Sequence, residues 1–247
     1  MIIKRVIKKV RGLMLSMQTP DMNMHPMKGI NSYWRQLTAG EVERGEHRNF
    51  VGGLWEKIGK LQFDFMRENE LLPHHKLVDI GCGALRGGVH FIRYLNRGNY
   101  YGIDINASLI KAGKREVESE DLLDKHPHLL VNNNFEMSRF DVSFDFAIAV
   151  SLFTHLYANQ IVRCLVEIRK VLKPDGKFYA TFFEAPSSAH LEPITQHPGG
   201  ITTYFDADPF HYSVPEMEWV AKEACLLMNV IGDWEHPRAQ KMLCFFQ

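Results

Sequence analysis

The sequence has no excess charge of either sign: Lys plus Arg and Asp plus Glu number 29 each in 247 residues. Without a net field there is nothing to gather a polyanion, so nucleic acid is not an expected partner. There is also no uninterrupted apolar stretch of signal-peptide or membrane-spanning length, and a cytoplasmic chain is expected. The four cysteines, Cys82, Cys164, Cys225 and Cys244, lack the close spacing of a metal site or a redox pair. They are expected to be reduced and mostly buried, and no metal is expected, because no His, Cys and carboxylate set has ligand spacing. Internal repeats are missing too. What remains is an ordinary globular composition, 45% hydrophobic and 23% charged, which is sufficient for a substantial core.

The first residues, MIIKRVIKKVRGLMLSM, place Ile3, Ile7, Val10 and Met14 along one helical face and Lys4, Lys8 and Arg11 on another. This basic amphipathic pattern over residues 1–17 reads in one of two ways. It is an arm that contacts an anionic membrane surface, which would make the chain peripheral to the inner face of the membrane, or one that packs on its own domain or on a second subunit. Turn formers from Gln18 to Met27 then read as a linker, and residues 28–247 as one domain. From Phe50 to Leu72 the spacing of Leu54, Ile58, Leu61, Phe65 and Leu72 predicts one helix leading up to Pro73.

From there strand-like and helix-like runs alternate: KLVDI, VHFIRYL, YYGIDI, SLIKAGKREVE, HLLV, FDFAIAV, IVRCLVEIRKVL and KFYATFF. Such alternation predicts an α/β fold with right-handed crossovers, a mainly parallel sheet and helices on both faces. Ile161, Leu165, Ile168 and Leu172 are expected to form the buried stripe of the helix after FDFAIAV, which Pro174 and Gly176 would end. Residues from Ala185 to Tyr212 read as a long loop. Ser213 with Glu216 reads as a capping box opening a further helix. At the C-terminus MNVIGDW and KMLCFFQ, joined by EHPRAQ, must pair antiparallel because so short a connection cannot be a crossover.

The chemistry concentrates where the first core strand ends, at Val78-Asp79-Ile80-Gly81-Cys82-Gly83, followed by a helix. Glycines there let a ligand lie against the backbone, and the helix N-terminus offers unbonded N–H groups. A dinucleotide fingerprint would place a third glycine where Arg86 stands and an apolar residue where Asp79 stands, so a nicotinamide or flavin site is disfavoured. About twenty residues on, Asp104 ends the strand YYGID, where a carboxylate can accept hydrogen bonds from two ribose hydroxyls or else cap a helix. An acid, any residue, Gly, any residue, Gly at the first strand resembles the first motif of the class I S-adenosylmethionine-dependent methyltransferases. The resemblance covers about residues 75–184 and extends to the C-terminal strand pair.

That resemblance implies a Rossmann-like, mainly parallel seven-stranded sheet with a C-terminal antiparallel strand pair, and S-adenosyl-L-methionine as cofactor. Asp79, Gly81, Cys82, Gly83 and Ser151 would lie at the cofactor, Asp104 at its ribose, and Ile105 at adenine. Asn134 with Phe135 would lie beside adenine as well, although Asn132 and Asn133 compete for that place. The Asn/Asp-Pro-Pro-aromatic motif of nucleobase-amine methyltransferases is missing after the fourth strand, where Ser151-Leu152-Phe153-Thr154-His155 stands.

His155 could take a proton from an acceptor or simply start a helix, and Glu184 reads either as a second base or as a solvated strand-end acid. His211 and Tyr212 on the long loop, with His236 and Arg238 in the C-terminal connection, are the candidates for acceptor binding. Arg238 could instead pair with Asp233 or Glu235. The expected activity is methyl transfer to a small-molecule, sugar or lipid-type acceptor, on oxygen. The alternatives are a non-catalytic cofactor-binding or scaffold protein and, further off, a nicotinamide-dependent oxidoreductase.

Overall fold

The computed structural model describes residues 32–186 and 188–247. The basic pattern over residues 1–17 and the linker to residue 27 therefore lie outside the described residues. The chain enters through a 3-10 turn (Ser32–Trp34), α1 (Ala39–Glu43) and α2 (Glu46–Phe50), and then α3 (Trp55–Glu68). Strands β1 (Leu77–Ile80), β2 (Tyr100–Asp104), β3 (His128–Val131), β4 (Phe144–Ala149) and β5 (Leu172–Glu184) follow. Between them run α4 (Gly88–Tyr94), α5 (Ala107–Ser119) and α6 (Ala158–Arg169). Short strands β6 (Ile194–Gln196), β7 (Ile201–Thr203) and β8 (His211–Tyr212) lead to α7 (Val214–Glu223), β9 (Leu227–Gly232) and β10 (Lys241–Phe246).

The main path of the sheet has the order β3-β2-β1-β4-β5-β10-β9, with β8 added beside β5. Strands β1 to β5 pair in parallel, and β10 is antiparallel to both β5 and β9. The mainly parallel expectation holds, with seven strands along the main path and β8 as an eighth. Because β9 is antiparallel to β10 and β10 to β5, β9 runs in the direction of the parallel strands. Alternation along the strands builds a core on each face. Leu77 joins Phe65, Met66, Phe91 and Ile92 under α3 and α4, whereas Val78 and Ile80 join Ile161, Leu165, Ile168 and Val220 under α6 and α7.

Three local expectations are corrected. The helix expected from Phe50 to Leu72 is split: α2 ends at Phe50 and α3 begins at Trp55, since Gly52, Gly53 and Leu54 all adopt positive φ, which a helix cannot carry. Leu72 is 45% exposed and packs no helix face. Helix α6 ends at Arg169, and Leu172 already begins β5. Pro174 and Gly176 then sit in a bulge, because Phe144 is opposite Leu172 but Phe146 is opposite Lys177. The segment from Ala185 to Tyr212 is not a plain loop but folds into the β6–β7 hairpin and the β8 extension. The Ser213–Glu216 capping box forms as read, with Glu216 accepting from the Ser213 backbone at 2.7 Å.

Candidate active site

Sheet order reverses at β1, which has β2 on one side and β4 on the other, so the turns leaving these strands diverge and open a crevice at their C-terminal ends. A cleft of about 1180 Å3, its open mouth included, occupies this place. Its wall comes from four successive strand ends: Asp79 to Gly83 after β1, Asp104 and Ile105 after β2, Asn132, Asn133 and Phe135 after β3, and Val150 to Leu152 after β4.

The β1 turn is pinned by the Gly81 and Cys82 amides, which donate to the Ile103 carbonyl at 2.8 and 3.1 Å. Gly81 and Gly83 have φ of 73° and 55°, conformations that favour glycine. A Cβ on Gly81 would come within 3.0 Å of Leu152, and one on Gly83 within 3.2 Å of Val51, so both residues keep the cleft floor open.

Asp104 closes this turn from the neighbouring strand. One carboxylate oxygen accepts from the Gly83 amide at 2.8 Å and the other from the Asn106 amide at 2.7 Å. The Ile105 amide also acts on the carboxylate, and lone-pair capacity beyond these amides remains for a ligand hydroxyl. Burial pushes the carboxyl pKa up, against the backbone N–H groups that hold it down. The helix-capping role open to Asp104 falls instead to Asn106, whose side chain accepts from the Ser108 and Leu109 amides.

Asp79 is 5% exposed, and the Tyr100 hydroxyl donates to it at 2.8 Å. This is its one hydrogen bond among the described residues. A neutral hydrogen bond, worth about 1 kcal/mol net, does not offset the burial of a carboxylate. Desolvation accordingly raises its pKa to about 7, with the Tyr100 bond pulling down and the Asp104 charge pushing further up. A buried acid in that condition is matched by a ligand that brings a cation. Together the glycine floor, the acceptor lone pairs of Asp104 and this carboxyl fit an amino-acid nucleoside: ribose at Asp104, ammonium at Asp79.

Of the residues expected at the cofactor, Asp79, Gly81, Cys82, Gly83, Asp104, Ile105, Phe135 and Ser151 all line the cleft, as does His155. Asn134 does not. Its side-chain oxygen accepts from Arg163 at 3.2 Å, and Asn132 and Asn133 form the wall in its place.

The acceptor-side candidates stand elsewhere. None of Glu184, His211, Tyr212, His236 and Arg238 lines the cleft. His211 is fully buried: Nε2 donates to the His190 carbonyl at 2.8 Å, so Nδ1 accepts from the Thr203 hydroxyl at 2.9 Å. The Tyr212 hydroxyl donates to the Leu156 carbonyl. Both residues fix the folded-back segment rather than face a ligand. His236 is 2% exposed and stacked on Trp234, with burial and the charges of Arg86 and Arg238 holding its pKa down to about 3. Arg238 takes neither Asp233 nor Glu235 as partner, but donates to the Gly52 carbonyl. The Glu184 side chain is half-buried at the end of β5, outside the cleft.

Sequence reasoning missed the cover of the cleft. Tyr33, Trp34 and Val51 line it from the N-terminal segment, which is held by Asn106 donating to the Tyr33 and Arg35 carbonyls at 2.8 and 2.9 Å. Arg86, 8% exposed, donates to the Val51 and Gly53 carbonyls at 3.0 and 3.2 Å, so the residue at the third fingerprint position anchors the cover. Asp208 was missed as well. It lies between β7 and β8, and its carboxylate meets His155 Nδ1. In the sequence it is one of two acids before a proline, and no periodicity marks it.

A family model described as a methyltransferase domain matches residues 78–178, the stretch from β1 into β5 that builds the cleft. Over that stretch the chain is similar to methyltransferase domains. A probable methyltransferase, ltbC, of Aspergillus luteorubrus is 26% identical over 144 residues, 53% of this chain and 50% of that protein. The demethylmenaquinone methyltransferase of Bacillus mycoides is 30% identical over 118 residues, 45% of this chain and 46% of that protein. The chain thus spans about half the length of these curated relatives. Among solved structures, an S-adenosylmethionine-dependent methyltransferase from Clostridium acetobutylicum superposes with a TM-score of 0.58 at 11% identity, covering 83% of this chain and 96% of that one. At that identity the likeness is one of fold.

Proposed function

We propose that the chain is an S-adenosylmethionine-dependent methyltransferase that delivers its methyl group to a hydroxyl of a small-molecule acceptor, a sugar or lipid-type compound included. The observation that carries this reading is Asp79, a buried carboxyl with one neutral partner. It stands beside a glycine turn and across from the acceptor lone pairs of Asp104 in one cleft. The name of the demethylmenaquinone relative supports a small-molecule acceptor. So do the aromatic and aliphatic walls from Tyr33, Trp34, Phe135, Leu152 and Leu156.

When bound, the cofactor supplies an electrophilic methyl on a sulfonium whose leaving group is a neutral thioether. The protein then contributes alignment, and fixing two reactants in line supplies roughly 7–11 kcal/mol of barrier lowering. Asp104 and Asp79 hold the two ends of the cofactor, and Tyr33, Trp34 and Val51 exclude water from above. His155, on the cleft wall, draws the proton from the acceptor hydroxyl, a contribution of about 100- to 10,000-fold.

The test is calorimetry with S-adenosylmethionine and its demethylated product, followed by transfer of a labelled methyl into a small-molecule extract. Saturable binding of both ligands and a labelled product are expected. Failure to bind either ligand overturns the cofactor reading, and binding without transfer to any fraction leaves a cofactor-binding protein that is not an enzyme.

A further inference from the structure

The geometry points to Asp208 as a positioning residue for His155, and so to a hydroxyl acceptor that must lose its proton during transfer; this rests on the methyl-transfer reading of the same cleft. The two side chains are 53 residues apart in sequence, yet His155 Nδ1 meets Asp208 Oδ1 in a close hydrogen bond, with 19% and 17% of the two side chains exposed.

Contacts on either side of the pair set its register. The Phe210 amide donates to the Thr154 carbonyl at 2.7 Å, the Tyr204 amide to the Pro209 carbonyl at 2.9 Å, and the His211 amide to the Tyr204 carbonyl at 3.0 Å. The Tyr157 ring lies 4.9 Å from Phe210. On the other side the Tyr33 ring stands edge-on to the imidazole at 4.7 Å. Asp208 and the imidazole are thus held from two elements, while the imidazole itself borders the cleft that contains Asp79 and Asp104.

A carboxylate can only accept, so the ring nitrogen against it carries the proton and the basic nitrogen is Nε2. In the transfer step the acceptor O–H bond breaks and its proton goes to Nε2. The O–CH3 bond forms as the sulfonium–CH3 bond breaks, and the electron pair leaves with the neutral thioether. The resulting imidazolium is stabilised by Asp208 and returns its proton to solvent. Tyr33 is among the titratable groups beside this ring, and the charges of Arg86, Arg238 and Asp104 reach the Tyr33 hydroxyl, as does that of Asp208. The charges of the other three change little between an aspartate and its amide at position 208, so the comparison isolates the carboxylate.

The full chain, labelled with 15N-histidine, and the variants Asp208→Asn, Asp208→Glu and His155→Gln (to assign the ring signal) test this. Wild-type His155 is expected as the Nδ1–H tautomer. Asp208→Asn, which offers an NH2 as well as a carbonyl, should lose that preference. Its methyl transfer from labelled S-adenosylmethionine into a small-molecule extract should fall at least tenfold in kcat with KM for the cofactor unchanged. Asp208→Glu should restore part of the rate. A wild-type Nε2–H tautomer overturns the inference whether or not the variants fold, as does an Asp208→Asn protein with wild-type kcat. Affinity for S-adenosylhomocysteine, within twofold of wild type in both Asp208 variants, separates the two readings. If the wild-type protein does not bind it, the function fails independently of the dyad.

Discussion

Replacing Asp104 should damage the protein in two separable ways, because its carboxylate faces both the polypeptide and the proposed ribose. Within the chain it accepts from the Gly83 and Asn106 amides. Asp104→Ala leaves both donors without their acceptor at about 1–3 kcal/mol each. A loss of at least about 2 kcal/mol corresponds to a fall in Tm of about 4–8 °C for a chain of this length. Toward the cofactor, a charged acceptor of hydroxyl groups is worth about 1.5–3 kcal/mol, or roughly 10- to 150-fold in Kd. Asp104→Asn discriminates between the two roles, since it keeps one acceptor oxygen but turns an NH2 toward one of the two amides or toward the ligand. It should retain more stability than Asp104→Ala and still lose at least tenfold in affinity. The assay is calorimetry with S-adenosylhomocysteine about 20 °C below each variant's own Tm, so that only folded protein is titrated. Unchanged affinity in both variants would remove Asp104 from the ligand site and leave it as a brace for the glycine turn.

Two further outcomes follow from the same wall. Asp79 titrates near 7 when folded against 3.8 in a free chain, so it binds more protons folded than unfolded, and ligand-free stability from this group falls as pH rises from about 4 to 7. Since a cationic ligand selects the ionised form, S-adenosylmethionine affinity should rise up to tenfold per pH unit below 7 and level off above it; Asp79→Asn should abolish the slope, and a flat wild-type profile from pH 5.5 to 8 would refute the assignment. Arg238→Ala removes the donor to the Gly52 carbonyl and should cost about 1.5 kcal/mol, or 3–6 °C in Tm by calorimetric scan, with methyl transfer per folded molecule unchanged; a selective loss of transfer would return Arg238 to the acceptor site.

The sheet was legible because its signals are local. Each parallel strand reads as a short apolar run, each crossover helix as a stripe at steps of three or four, and the antiparallel end follows from a connection too short to cross over. Boundaries failed where backbone conformation overrode the apolar pattern. Leu54 sits in register with Ile58 and Phe65, yet it adopts φ of 47° just outside α3. Leu172 continues the stripe of Ile168, and it is buried at 4% exposure, but as the first residue of a strand. In both cases the pattern reported burial correctly and the element incorrectly, since a buried side chain satisfies the same core from either conformation.

The two halves of the cleft differ for a related reason. Every cofactor-side candidate except Asn134 reached the wall because each lies within a few residues of a strand end, and strand ends converge at the point where the sheet order reverses. Acceptor-side candidates were chosen for chemistry in long connections, where chain position does not fix direction. His211 and Tyr212 are turned inward by the strand pairing of β8 with β5, and their polar atoms are consumed by Thr203, His190 and Leu156. The same pairing, by holding Phe210 on the Thr154 carbonyl, is what brings Asp208 against His155. A histidine that looks functional in sequence has thus become a strut, and the adjacent acid becomes available because the strut is there. The N-terminal cover follows the same logic: Arg86, read from the sequence only as a missing glycine, holds the Val51 and Gly53 carbonyls, so the departure that argued against a dinucleotide site is also what anchors a wall over the cleft.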